Sequence, residues 1–398
     1  MSDAPPLVAL AAGGTGGHLF PAEALAVELL ARGVAVELVT DARAVQYAAK
    51  FPARAVHAVS SATIAGRSPA AILSAARHLG LGFGESLRLL RLLKPSAVVG
   101  FGGYPTVPPL AAAALLRIPT VVHEQNAVMG RANRLLAGVA TAIGTGFPAL
   151  AHANARMRAK ALHVGNPVRP AVLAAAARPY APPDPDGRIQ LLVFGGSQGA
   201  RVMSDILPPA LAQLDSQFAA RLSVVQQARS EDLPAVEAAY RAAGIAADIQ
   251  PFFTDLPKRM AEAHLVVARS GASTVAELAV IGRPSLLVPL PHSLDQDQLA
   301  NANALADAGG ATVIPQTQFT PAVLAGTLAD LFADPAKLAR QAASARAVAV
   351  PDASSHLADL VIRAANRHQK GPLPGRGTPA DPGIEGPSRS VSSSAGLV

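Results

Sequence analysis

LVALAAGGTGG occupies residues 7–17, and LLVFGGSQGA occupies residues 191–200. Each is an apolar run rich in Val and Leu that stops at a pair of glycines. Such a run, without polar alternation, suits a parallel strand buried on both faces. The glycines after it let main-chain N–H groups approach a ligand at the start of a helix, where the macrodipole favours negative charge, and phosphate is the usual guest. A weaker echo pairs VVGFGGYPTVPPLAA (98–112) with VVARSGASTVAELAV (266–280). Strand, small-residue turn and helix thus recur in both halves. This predicts an α/β chain of two doubly wound units whose strand ends face each other across a cleft.

The rest of the chain agrees with that plan. VAVELVT (34–40), PTVVHEQ (119–125), RLSVVQQ (221–227) and PSLLVPLP (284–291) read as further strands separated by helix-length segments. The first helix runs to about Arg32 and ends at Gly33. RPYAPPDPDG (178–187) is rich in proline and polar residues, so the junction falls just before or within it. At 398 residues, two domains are expected. SSHLADLVIRAANRH (354–368) has helical spacing and is the last packed element, and the Gly-, Pro- and Ser-rich end reads as disordered.

Composition narrows the function. Half the residues are apolar, yet PPLAAAALL (108–116) stops at Arg117, and no run reaches the roughly 20 residues needed to span a bilayer. The N-terminus has no basic stretch and runs directly into the first strand, so it does not read as a signal peptide. With no cysteine, disulfides and thiolate metal sites are excluded, which fits a reducing compartment. The formal charge of +7 suits an anionic partner or plain solubility equally.

The glycine turns depart from the named phosphate-binding motifs. A P-loop fails because His18 stands where lysine is required, and the dinucleotide fingerprint that would begin at Gly14 ends on Leu19. Asp41 sits where a ribose-binding acid would, which keeps an NAD-linked oxidoreductase as an alternative. His18, in the first residues of a helix and pointing to the cleft, would stay neutral; it reads as a base or as a bystander bonded to its neighbours. His123, Glu124, Gln125 and Asn126 lie at a strand's carboxyl end, where amides suit sugar hydroxyls. Arg169 suits a diphosphate or a salt bridge. Ser273 and Thr274 open a helix with Glu277 one turn inside, suited to a ribose diol or simply to the helix dipole. Of the Asp-x-Asp pairs, Asp184/Asp186 lies in the proline-rich junction and Asp295/Asp297 lacks supporting ligands nearby, so no metal site is expected.

Taken in order, GGTGGHLFPAEALA, GFGGYPTVPPLAA, HEQNAVMGRANRLLA, GNPVR, GGSQGA, PFFTDLPKRMAEAHLVVARSGASTVAELA, GRPSLLVPL and DQDQLANA resemble the MurG family over about residues 7–313. The resemblance implies a GT-B fold of two Rossmann-like domains, with an N-terminal acceptor and membrane-side unit over 1–165. A UDP-sugar-binding unit over 166–350, a helix over 351–368 and a disordered tail over 369–398 would follow. It implies inverting transfer of N-acetylglucosamine from UDP-N-acetylglucosamine to the C4 hydroxyl of the N-acetylmuramyl unit of lipid I, giving lipid II for peptidoglycan, with no cofactor and no metal. By resemblance, Thr15, Gly16, Gly17 and Asn126 would contact the donor sugar or the acceptor, and Arg169 and Ser197 the diphosphate. Phe253 would meet the uracil through its main chain. The run Ala272, Ser273, Thr274, Val275, Ala276 and Glu277 would bind diphosphate and ribose, and Gln298 the sugar. Ser273 stands where a larger apolar residue is common, and Asp297 where His or Gln is usual.

His18 is the candidate base and Glu124 the alternative. The acceptor is membrane-held, so a peripheral position on the cytoplasmic face of the inner membrane is implied, with cell-wall synthesis proteins as partners and no nucleic acid. Segment 68–94 mixes Ile72, Leu79, Leu81 and Phe83 with Arg77, Arg88, Arg91 and Lys94, suited to an anionic bilayer or to a core helix pair. Other UDP-sugar enzymes, including a diacylglycerol glycosyltransferase and a 2-epimerase, and a non-catalytic sugar-nucleotide subunit are the remaining alternatives.

Overall fold

The computed structural model describes residues 5–13, 16–42, 51–61, 68–196 and 199–370. The expectations for Thr15, Ser197 and the tail beyond Lys370 lie outside these residues, as does the side chain of Ile72. The chain forms two parallel sheets. In the N-terminal lobe, β1 (Leu7–Ala11), β2 (Ala35–Thr40), β3 (Val56–Ala58), β4 (Ala97–Gly100), β5 (Thr120–Glu124), β6 (Ala142–Thr145) and β7 (Ala161–His163) lie in the order β3-β2-β1-β4-β5-β6-β7. In the C-terminal lobe, β8 (Ile189–Phe194), β9 (Leu222–Gln227), β10 (Ala246–Gln250), β11 (Leu265–Ala268), β12 (Ser285–Leu287) and β13 (Ala311–Val313) lie in the order β10-β9-β8-β11-β12-β13. Each sheet reverses its strand order beside its first strand, the doubly wound arrangement that opens a crevice at the strands' carboxyl ends. The two sequence echoes occupy equivalent places: β1 and β8 are central, flanked by β4 and β11.

The absence of alternation in these strands has a direct cause. Val8 and Leu10 point to one core layer with Leu25 and Leu29 of α1 (Gly16–Ala31), whereas Ala9 and Ala11 point to another with Leu90 of α2 (Pro69–Leu93) and Leu110 of α3 (Val107–Leu115). In the second sheet, Leu191 and Val193 divide from Leu192 and Phe194 in the same way. Neither face reaches water, so both must be apolar. A Leu or Val side chain buried fully in such a layer contributes about 1.5–3 kcal/mol.

The last helix, Ala353–Lys370, extends two residues past its expected end, so Gln369 and Lys370 are helical rather than part of the tail. It returns to the first lobe. Leu357 and Val361 pack in the layer that holds Leu10 and Leu25, and Arg32 binds Asp359 (2.6 Å) and Ser355 Oγ (2.6 Å). Segment 69–93 is one helix rather than a pair, with Leu73, Arg77, Leu81, Arg88, Arg91 and Leu92 exposed and Leu79 and Phe83 half-buried. No helix among the described residues is long and apolar enough to cross a membrane.

Candidate active site

A cleft of about 730 Å³ separates the lobes, lined by Gly16, Gly17, His18, Phe20, Gln125 and Asn126 on one wall. The opposite wall comes from the turns after five strands of the second sheet. It includes Gly195 and Gly199 after β8, Phe253 after β10, Arg269 and Gly271–Thr274 after β11, Gln298 beyond β12, and Gln316 after β13. Of the residues expected from sequence, Gly16, Gly17, His18, Asn126, Arg169, Phe253, Ala272, Ser273, Thr274, Glu277 and Gln298 meet here. Val275 and Ala276 do not line the cleft, because a helix presents only one face to it and Val275 turns into the core.

The N-terminus of the Ala272–Ile281 helix is built for an anion. Gly271 precedes it in an extended conformation, and the first intrahelical bond is Val275 N–H to Gly271 O (3.0 Å). The amides of Ala272, Ser273 and Thr274 therefore have no intrahelical acceptor. The turn after β8 needs glycine for space: a Cβ on Gly195 would stand 2.3 Å from the Ala200 nitrogen. Glu277, buried one turn into the helix, accepts from Arg169 Nη2 at 3.2 Å. Burial raises its pKa, and the guanidinium beside it pulls the other way. Arg169 also lies 4.1 Å above the Phe20 ring, while its buried Nε has no partner.

His18 stands in the first turn of α1, walled by the Gly102–Gly103 turn. A Cβ on Gly102 (φ +87°) would reach 3.3 Å from its ring, and one on Gly103 (φ +76°) 3.4 Å. Burial holds its pKa below the ordinary histidine value, with contacts to Gln125 and Phe101 acting oppositely. Its buried Nδ1 has no hydrogen-bond partner. Burial thus favours the neutral imidazole.

Glu124 is arranged differently. Its Oε1 accepts from the Asn126 amide N–H (3.0 Å) and side chain (3.3 Å), and its Oε2 from Gly130 N–H (2.9 Å) and Asn133 Nδ2 (2.8 Å). Gly130 precedes α4 (Arg131–Leu136), so the carboxylate caps that helix rather than lining the cleft. Burial raises its pKa, and the four donors oppose the shift.

His123 is fully buried, accepting from Gln125 Nε2 on Nδ1 (3.0 Å) and donating from Nε2 to Gly165 O (3.0 Å). Burial lowers its pKa to about 4. The unfolded chain therefore binds this proton below about pH 6.5 while the folded chain does not. Stability should fall as pH drops from 6.5 through 4, by about 3 kcal/mol in all. Denaturant titrations at pH 7 and pH 4 should show a smaller pH difference for His123→Gln than for wild type; equal differences would remove His123 as a source.

Gln125, whose amide suits a sugar hydroxyl, lines the cleft beside Asn126, and Arg269 and Phe20 line it although the sequence motifs do not mark them as ligands. Arg269 is buried, donating to the carbonyls of Val288 (3.0 Å) and Pro289 (3.1 Å) and to Gln316 Oε1 (2.5 Å), and burial lowers its pKa. Its sequence signal is its place immediately after β11, directly before SGAST. No group of three or more His, Asp or Glu able to hold a metal occurs among the described residues.

Two Rossmann-like lobes facing each other across such a cleft define the GT-B fold. The sequence patterns of the glycosyltransferase family 28 N-terminal and C-terminal domains match residues 8–145 and 190–357. The chain is 59% identical over 367 residues to the UDP-N-acetylglucosamine–N-acetylmuramyl-(pentapeptide) pyrophosphoryl-undecaprenol N-acetylglucosamine transferase of Methylobacterium nodulans, spanning 92% of this chain and 98% of that one. It matches the crystal structure of Acinetobacter baumannii MurG with a TM-score of 0.74 at 32% identity, over 90% of this chain and 100% of that one. The chain belongs to the MurG family. The UDP-GlcNAc 2-epimerase from Neisseria meningitidis, solved bound to UDP-GlcNAc, has a TM-score of 0.64 at 14% identity, over 90% of this chain and 100% of that one, a likeness of fold alone.

Proposed function

We propose that this enzyme transfers N-acetylglucosamine from UDP-N-acetylglucosamine to lipid I, giving lipid II for peptidoglycan. The observation that carries the reading is one cleft with a neutral imidazole on one wall and a buried carboxylate beside an anion-ready helix N-terminus on the other. The acceptor's C4 hydroxyl attacks the donor's anomeric carbon, and the bond from that carbon to the diphosphate oxygen breaks on the opposite face. The hydroxyl proton passes to His18, and UDP departs with its charge met by Arg169 and the amides of Ala272, Ser273 and Thr274. Preorganised donors of this kind contribute several kcal/mol to such a step. Glu277 holds the ribose diol, Phe253 meets the uracil through its main chain, and Gln298 and Asn126 read the sugar. Gly16 and Gly17 face the acceptor. Glu124, with all its acceptor sites filled, supports Asn126 and α4 rather than taking the proton.

The exposed Leu73, Leu81 and Leu92 of α2, set among Arg77, Arg88 and Arg91, support peripheral docking on an anionic bilayer at the cytoplasmic face of the inner membrane.

The test is a single assay of labelled UDP-N-acetylglucosamine with a lipid I analogue, in which a labelled disaccharide lipid and free UDP are expected. No disaccharide lipid, together with stabilisation by NAD and not by UDP in thermal unfolding, would replace this reading with the oxidoreductase.

A further inference from the structure

The segment after β12 and the start of the Asp297–Asp307 helix that follows it carry Leu290, Asp297 and Gln298 into the cleft. It is closed on itself: Gln298 Oε1 accepts from Leu290 N–H (3.0 Å), and Gln298 O accepts from Ser270 Oγ (2.7 Å). Its backbone is unusual, with His292, Asp295 and Gln296 all left-handed at φ 60°, 54° and 55°. Residues other than glycine adopt that conformation uncommonly, Asp and His more readily than Gln, and three within five positions call for a constraint from their surroundings.

The other lobe supplies part of that constraint. Asp295 takes Arg134 at 3.3 Å and Arg131 at 3.6 Å, both from α4. Further along, the fully buried Asn301 accepts from Ala127 N–H (2.8 Å) and donates to Asn126 Oδ1 (2.9 Å) and Ser270 O (3.2 Å). Glu124 binds both Asn126 and the start of α4, so these N-lobe partners are tied to each other. Gln298 therefore sits between two inter-lobe grips, and the chemistry assigned so far uses neither Asp295 nor its arginines.

We propose that Asp295 is a positioning residue: held by Arg131 and Arg134, it keeps the Leu290–Gln298 loop shaped for the donor sugar. Recognition of the sugar then depends on the lobes being together, while UDP alone is gripped by the C-terminal lobe. The inference rests on the reading that Gln298 meets the sugar.

Asp295→Asn removes the charge but keeps a side chain that tolerates left-handed backbone. Its KM for UDP-N-acetylglucosamine should rise about threefold to fivefold, as partly exposed ion pairs allow, with kcat near wild type. The Kd for UDP should not change. The double variant Arg131→Gln/Arg134→Gln should reproduce the effect, and all three changes together should be no worse than Asp295→Asn. A KM within twofold of wild type in both variants, additive losses, or an equal loss of UDP affinity would overturn the clamp. A wild type that binds UDP but neither binds nor turns over the sugar nucleotide would instead overturn the underlying site reading.

Discussion

His18→Ala is expected to lower turnover by about 10²–10⁴ while leaving the affinity for UDP-N-acetylglucosamine within about twofold, the range that loss of a positioned general base produces. Three observations set this expectation. The ring lines the cleft on the lobe opposite the nucleotide-facing helix, so its removal opens space without touching the donor's anion site. Burial keeps it neutral, which makes it competent to accept a proton at pH 7. Its wall is made by Gly102 and Gly103, whose positive φ values place backbone where a side chain would press on the ring. Gly103→Ala is strained at that φ and would disturb the ring from outside, so a fall in kcat with unchanged donor affinity there would carry the same message. Single-turnover rates and titration of the donor separate the two quantities. Turnover unchanged in His18→Ala would assign the proton to another group.

The parts of the fold that were legible were those whose burial is two-sided. β1, β4, β8 and β11 are unbroken apolar runs ending in small residues, and they form the centres of the two sheets. The edges were not legible. β3 (VHA), β7 (ALH) and β10 (AADIQ) are short or mixed in polarity, because an edge strand shares its surface with solvent and its pattern is set by a few contacts. The lobe covered by the last helix was also hidden: its amphipathic spacing says that one face is buried, and only the fold brings Asp359 to Arg32. At the site, the glycine and serine turns announced an anion, but side-chain direction did not follow from the string. Glu124 and Asn126 are two residues apart, yet one caps α4 from within and the other lines the cleft. Both faces of β5 are buried, so alternation offers no clue to which polar residue turns inward.

Glu277→Ala should weaken UDP about 10- to 100-fold, the effect of losing hydrogen bonds to a charged acceptor in a desolvated site. The ion pair gives this prediction a second, opposite sign. In the free cleft Arg169 and Glu277 face each other at 3.2 Å, and Arg169 is otherwise held by Phe20 with its Nε unpartnered. Removing the carboxylate deprives the guanidinium of its neutralising partner and leaves it directed at whatever anion enters. Inorganic diphosphate, which has no ribose, should therefore bind Glu277→Ala as tightly as wild type or more tightly, while UDP binds less well. The free protein should also unfold at a lower temperature, since a half-buried arginine without its counterion costs stability. Glu277→Gln retains one acceptor oxygen for the diol and should fall between the two. Calorimetric titration of wild type and both variants with UDP and with diphosphate reads all of these at once. Parallel losses for the two ligands would mean that Glu277 acts only by holding the helix in place, and unaltered UDP affinity would put the ribose elsewhere in the cleft.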